Sequence, residues 1–124
     1  MRKEQRLRRR QDFASAYRRG RAQGSALLVI RINPNGGGVT RWGFVAGKVV
    51  GGAVVRNRVK RRLREAARSL DVTGGLDIVV GARKPAAEAN YAQLRDAMVA
   101  LLTRHKVLAA QRAPSTPAAI QENS

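Results

Sequence analysis

The chain has 124 residues, with 25 Lys and Arg against 8 Asp and Glu and a formal net charge of +17. That length holds one domain with a modest core, and such a charge repels itself in a compact state unless a polyanion lies against it. The absence of cysteine excludes disulfides and thiolate metal sites. No apolar run approaches the roughly 18 residues of a membrane span, and no signal-peptide core is present, so a soluble, cytoplasmic protein is expected.

The first 21 residues carry nine basic side chains and two acids. Residues 1–6 show no apolar periodicity and predict a basic arm that stays loose until it meets a partner. Gln11 to Arg19 reads as a short helix, ended by Gly20 as its cap. Phe13 and Tyr17 lie four apart on it and share a face; that spacing serves either a platform for unstacked bases or a staple into the core. Ala26 to Asn33 predicts a buried strand, Pro34 to Gly38 a flexible turn, and Thr40 to Ala46 a second strand. On that strand Trp42 and Phe44 point the same way at period two, which favours packing.

Gly47, Gly51 and Gly52 form a loop that leads into the most basic segment. Arg56 to Arg68, RNRVKRRLREAAR, carries seven basic residues and one acid, Glu65. Val55, Val59, Leu63, Ala66 and Leu70 recur at helical spacing and form one narrow apolar stripe toward a core. Asn57, Lys60, Arg61, Arg64 and Arg68 fall opposite it, Arg56 flanks one edge, and Arg58 and Arg62 flank the other. Charges of a single sign, with no i,i+4 ladder of acids to neutralise them, point to polyanion binding rather than a solvated helix surface.

Asp71 to Gly75 closes this helix. Leu76 to Ala82 is continuously apolar and predicts a strand buried on both faces, ended by Arg83, Lys84 and Pro85. A last amphipathic helix runs from Tyr91 to His105, with Leu94, Met98, Leu101 and Leu102 on one side. One nucleic-acid-binding domain over residues 7–106 is expected, followed by a disordered tail over 107–124.

Protein-based nuclease chemistry would need carboxylates or imidazoles clustered around metal ions. The acids are scattered, and the single histidine, His105, sits in the basic segment TRHK at a helix end, where a structural role is the simpler reading. No nucleophile elbow or P-loop is present. No catalytic and no metal-ligating residue is assigned, so any reaction draws its catalyst from elsewhere.

Arg41 to Arg68, RWGFVAGKVVGGAVVRNRVKRRLREAAR, resembles the signature of the bacterial ribonuclease P protein subunit: a glycine-containing strand, a lysine loop and the RNR helix. LRRRQDFASAYRRG (7–20) is similar to that family's opening helix, and DIVVGARKPA (77–86) to its strand ending in Ala-Arg-Lys-Pro. The resemblance implies an α/β (α+β) two-layer sandwich in the order αβββαβα. It also implies a short extra strand near Arg21 to Ser25 and a left-handed βαβ crossover, although about 98% of such crossovers are right-handed.

The function implied is that of an accessory subunit. It binds the catalytic RNA and the 5′ leader of precursor tRNA, and helps that RNA remove the leader with Mg²⁺ held mainly by the RNA. By resemblance, Arg56, Asn57, Arg58, Lys60, Arg61, Arg64 and Arg68 face the catalytic RNA, and Phe13, Tyr17, Lys48, Arg83 and Lys84 line a leader cleft. The chain departs from the pattern at Gly47, Val49 and Gly52, where the family often has Ser, Lys and Asn. It departs again at Ile30, where the family's strand often supplies an aromatic to the cleft. A general RNA chaperone would share the charge but bind many RNAs alike. A DNA-reading helix would typically call for a dimer, and no heptad repeat is present; neither DNA nor a membrane is an expected partner.

Overall fold

Leu28, Ile30 and Ile32 are buried while Val29, Arg31 and Asn33 between them are half-buried, the alternation of a strand with one face on a core. In the computed structural model, which describes residues 6–7 and 21–107, this strand is β2 (Leu28–Pro34). Before it comes β1 (Arg21–Gly24); after it come β3 (Arg41–Ala46), α1 (Ala53–Arg68), β4 (Leu76–Ala82), a 3₁₀ helix (Lys84–Glu88) and α2 (Tyr91–His105). The expected helix over Gln11 to Arg19, with Phe13 and Tyr17, lies outside the described residues, as do residues 1–5 of the arm and the tail after Val107.

β2 starts later than the apolar run that begins at Ala26. The Ser25 hydroxyl accepts from the Leu27 and Leu28 amides at 3.3 Å each, and the Ser25 amide donates to the Leu28 carbonyl at 2.8 Å. Residues 25–28 are thereby committed to the tight connection that folds β1 back on β2.

The sheet order is β1-β2-β4-β3. β1 pairs antiparallel with β2, and β2 antiparallel with β4, whereas β3 runs parallel to β4. α1 is the crossover that joins the two parallel strands, as such a connection requires. The result is a mixed sheet in an α+β fold, with β4 at its centre and buried on both sides.

Register assigns every strand residue to a face. Ile32, Ile78 and Trp42 lie side by side, as do Ile30, Val80 and Phe44. These side chains meet Val59, Leu63 and Ala66 of α1 and Leu94, Met98 and Leu101 of α2 in the main core. Neither helix lies over the other face, which carries Arg31, Val79 and Gly43 in one row and Val29, Gly81 and Val45 in the next. There Val79 is buried against Leu7 in a small second cluster, with Val45 beside it.

Turn chemistry fixes the ends. The Asn35 side chain donates to the Val39 carbonyl and to Asp77 Oδ1, both at 3.0 Å, and accepts from the Gly37 amide at 2.8 Å. The turn expected to be flexible is thus ordered by one asparagine. Buried Asp77 also receives Arg41 Nε at 2.8 Å and Nη2 at 2.7 Å, so its charge is paired and its oxygens are hydrogen-bonded. α2 opens with a capping box in which Asn90 and Gln93 satisfy each other's amides at 2.8 and 2.9 Å, an arrangement worth about 1 kcal/mol.

Candidate nucleic-acid interface

α1 buries Val59, Leu63, Ala66 and Ala67 and turns its remaining faces outward. Asn57, Arg61 and Arg68 are exposed, and Lys60 is half-buried. The helix has no acid in its first turn, and its N-cap, Gly52, offers no side-chain hydrogen bond. Among the described residues the one ion pair is Arg41–Asp77, on the sheet face away from α1. Among the described residues no acid forms an ion pair with the helix cations, an arrangement whose charge suits a phosphate backbone.

Arg58 and Arg62 behave differently from the exposed set. Arg58 Nη2 donates to the Ala87 carbonyl at 3.3 Å and Arg62 Nη1 to the Ala89 carbonyl at 2.8 Å. They fasten α1 to the 3₁₀ helix and the residue that follows it, as their place at the edge of the apolar stripe anticipates. Arg56 is half-buried, with its Nε buried and lacking a hydrogen bond.

Arg64 departs from its helical-wheel position opposite the stripe. Its guanidinium lies 5.9 Å from the centroid of the Phe44 ring, a cation–π distance. Phe44 in turn stacks on Trp42, ring centroids 6.0 Å apart and 5° from parallel. Burial, together with the Arg6 and Arg68 charges, lowers the Arg64 pKa from its ordinary value. β3 is the edge strand under this flank of α1, and its aromatic draws Arg64 inward.

Lys48, Arg83 and Lys84 share one end of the sheet, because parallel pairing sets Ala46 beside Ala82. Lys48 is exposed in a turn closed by the Val50 amide on the Gly47 carbonyl at 3.0 Å, and buried Val50 anchors that turn in the core. Arg83 continues the alternation of β4 onto the face away from the helices. Its guanidinium lies over Gly24, where a Cβ would sit 2.8 Å from Nη2; glycine leaves it the room. Phe13 and Tyr17, the remaining residues of the expected leader cleft, lie outside the described residues.

Ile30 corrects an expectation. It is fully buried in the helix-side core and is not a cleft position. The next residue, Arg31, takes the other face, between Ala22 of β1 and Val79 of β4. Reading 26–33 as a uniformly buried strand hides Arg31; the alternation of Leu28, Ile30 and Ile32 with Val29, Arg31 and Asn33 is the signal that finds it.

His105 is structural in its surroundings. Burial lowers its pKa, a hydrogen bond with the Ile30 backbone opposes that, and the Arg21 charge adds to the lowering. Among the described residues no three His, Asp or Glu side chains gather where they could hold a metal ion.

A family model described as Ribonuclease P matches residues 1–106. The ribonuclease P protein component of Streptomyces avermitilis is 49% identical over 113 residues, covering 82% of this chain and 91% of the relative. That of Roseiflexus castenholzii is 40% identical over 111 residues, covering 87% and 91%. Among solved structures, the RNase P protein of Staphylococcus aureus superposes with a TM-score of 0.75 at 28% identity, over 83% of this chain and 96% of that one. The RNase P protein of Thermotoga maritima gives 0.73 at 31% identity, over 80% and 96%.

Proposed function

Because this chain belongs to the ribonuclease P protein family, we propose that it binds the catalytic RNA through the outward face of α1 and the 5′ leader of precursor tRNA through residues at the sheet end and on the sheet face away from the helices. The observation that carries the first half is a helix whose exposed cations have no ion-pair partner among the described residues. Asn57, Lys60, Arg61 and Arg68 supply phosphate contacts from the outward face; Arg64, turned toward Phe44, and Arg56 and Arg58 reach the RNA from the helix flanks.

For the leader, Lys48, Arg83 and Lys84 offer cations at one sheet end, and Arg31 joins them from β2. Phe13 and Tyr17 are assigned stacking on leader bases, which tolerates any sequence because every base has a π face. Mg²⁺ is the ion this reading calls for, held mainly by the RNA. In this reading the protein's part is to position two RNAs and screen their mutual repulsion. Cleavage, with the RNA as catalyst, takes place in the cytoplasm.

The test is precursor tRNA cleavage by three preparations: protein, RNA subunit, and both. Protein alone is expected to cut nothing. Both together are expected to cut at Mg²⁺ levels too low for the RNA by itself. Cleavage by the protein without RNA, or an RNA subunit indifferent to the protein at low Mg²⁺, overturns the reading. Phe13→Leu and Tyr17→Leu test the platform: each keeps apolar volume and removes the π face, so each should weaken binding of precursor but not mature tRNA, by about 1–3 kcal/mol.

A further inference from the structure

A cavity of about 610 Å³ opens between the turn that leads into β3 and the segment that leads into β4. Because those strands are parallel, it lies at the end of the sheet opposite Lys48 and Arg83. Val39, Trp42, Leu70 and Val72 give it apolar walls, and three polar side chains complete the lining. Thr40 is occupied: its hydroxyl donates to the Thr73 carbonyl and accepts from the Leu76 amide. Arg68 and Asp71 are both exposed at the mouth. They carry opposite charges, yet among the described residues neither forms an ion pair or a hydrogen bond, with the other or elsewhere.

The walls are set in advance. The Thr40 bonds tie one to the other, and the Thr73 amide donates to the Val107 carbonyl at 2.8 Å, which fixes the second wall to the chain leaving α2. A preformed, largely apolar cavity of this size, with a few convergent polar groups, has the build of a small-molecule site.

Its occupant needs apolar faces for the walls, acceptors for Arg68 and donors for Asp71, since a carboxylate only accepts. Guanine is the nucleobase that sets two N–H donors side by side on its pairing edge, at N1 and the 2-amino group, and its O6 and N7 suit an arginine fork. Adenine would turn a lone pair toward Asp71. A zwitterionic amino acid also carries a donor and an acceptor, but the net charge of +17 favours an anion. We propose that this cavity binds the guanine base of a nucleotide, with Asp71 on N1–H and the 2-amino group and Arg68 on O6 and N7. The base has two sources, a free guanine nucleotide or an unstacked guanosine of an RNA partner, and its recognition is the same in both.

Trp42 is the one tryptophan of the chain, so its indole N–H resonance reports on the cavity. The full chain is titrated with guanosine, adenosine and xanthosine 5′-monophosphates, which share a phosphate and so cancel attraction by charge alone. Wild type should bind the guanine nucleotide at least about tenfold more tightly than the adenine one. Asp71→Asn, at an exposed site without hydrogen bonds, should melt normally and lose that preference. It should also bind the xanthine nucleotide, whose 2-oxo group accepts from the new amide, at least about tenfold better than wild type does. Asp96→Asn, an equal charge change on α2, should keep the guanine preference. A wild type that does not distinguish guanine from adenine, or a guanine preference that survives Asp71→Asn or is lost in Asp96→Asn, overturns the site. Loss of the preference in Asp71→Asn without the xanthine gain overturns the assigned orientation.

This titration contains no RNA, so it stands or falls apart from the reading of α1. Repeating it with the catalytic RNA bound identifies the source. Removing an acid should by charge alone strengthen RNA binding. Displacement of the guanine nucleotide, together with RNA binding weakened several fold by Asp71→Asn, therefore assigns the base to that RNA. Retention at unchanged affinity assigns it to a free nucleotide.

Discussion

Arg62 Nη1 and the Ala89 carbonyl oxygen lie 2.8 Å apart, and that bond separates Arg62 from its exposed neighbour Arg61 on the same helix. One arginine braces α1 against the chain that leads into α2; the other points into solvent.

Arg62→Ala is therefore expected to lower folding stability by about 1–2 kcal/mol, the worth of a hydrogen bond from a charged donor, with little change in the salt slope of RNA binding. Arg61→Ala should do the reverse, leaving stability within about 0.5 kcal/mol and flattening the slope by about 0.7–0.9. Urea denaturation and binding titrations across salt concentrations separate the two. Swapped behaviour would show that the two arginines have been given the wrong roles.

Ile30 and Arg31 make a second contrast, between two faces of one strand. Ile30→Ala removes a fully buried side chain and should cost about 2–5 kcal/mol of stability. Arg31→Ala should instead reduce the preference for precursor over mature tRNA by several fold, measured as a ratio of dissociation constants with the holoenzyme. A preference unchanged by Arg31→Ala would remove Arg31 from the leader surface.

The glycines at 74 and 75 face backbone. A Cβ on Gly74 would sit 2.6 Å from the Gly38 oxygen, and one on Gly75, whose φ is +80°, 2.7 Å from the Gly37 oxygen. Either alanine variant is expected to lose about 1–3 kcal/mol by denaturant unfolding. Gly38→Ala meets open space and has no positive φ, so it should stay within about 0.5 kcal/mol of wild type. Equal stability of all three variants would mean the two loops are not in close contact.

His105 gives a pH dependence of definite sign. Burial outweighs the Ile30 backbone hydrogen bond, and Arg21 adds to it, so the folded protein binds the His105 proton less well than the unfolded chain does. Its contribution to stability is complete above the ordinary histidine value of about 6.5 and is lost as pH falls through the lower folded value. The melting temperature should drop more between about pH 7.5 and pH 5 for wild type than for His105→Gln. An identical drop in both would place the acid sensitivity elsewhere.

Local pattern carried much of this structure. β4 runs from Leu76 to Ala82 and α2 from Tyr91 to His105, the ranges that apolar continuity and helical spacing indicate. Val59, Leu63 and Ala66 are buried where the stripe on α1 requires. The short β1 was expected only through family likeness, since RAQG has no apolar character of its own and is a strand because β2 pairs with it. Tertiary context decided the remainder. Arg64 turned inward because the sheet presents Phe44 to that flank of α1, and no wheel drawn for one helix contains its neighbour. Arg31 was obscured by the apolar residues on either side of it. The 3₁₀ turn after β4 forms because Arg83 and Pro85 end the strand and the Ala87 and Ala89 carbonyls beyond them receive α1's arginines.

The position of β4 between β2 and β3 also governs the order in which the fold can assemble. β1 and β2 are joined by a tight turn and can pair as soon as both exist, but the strand that belongs beside β2 is separated from it by β3 and all of α1. During synthesis the β2 edge therefore waits, unpaired, until Ala82 has left the ribosome. Closing so long a loop is slow, and a waiting apolar edge is where chains adhere to one another. The same surplus of positive charge that suits an RNA partner keeps nascent copies apart during that interval.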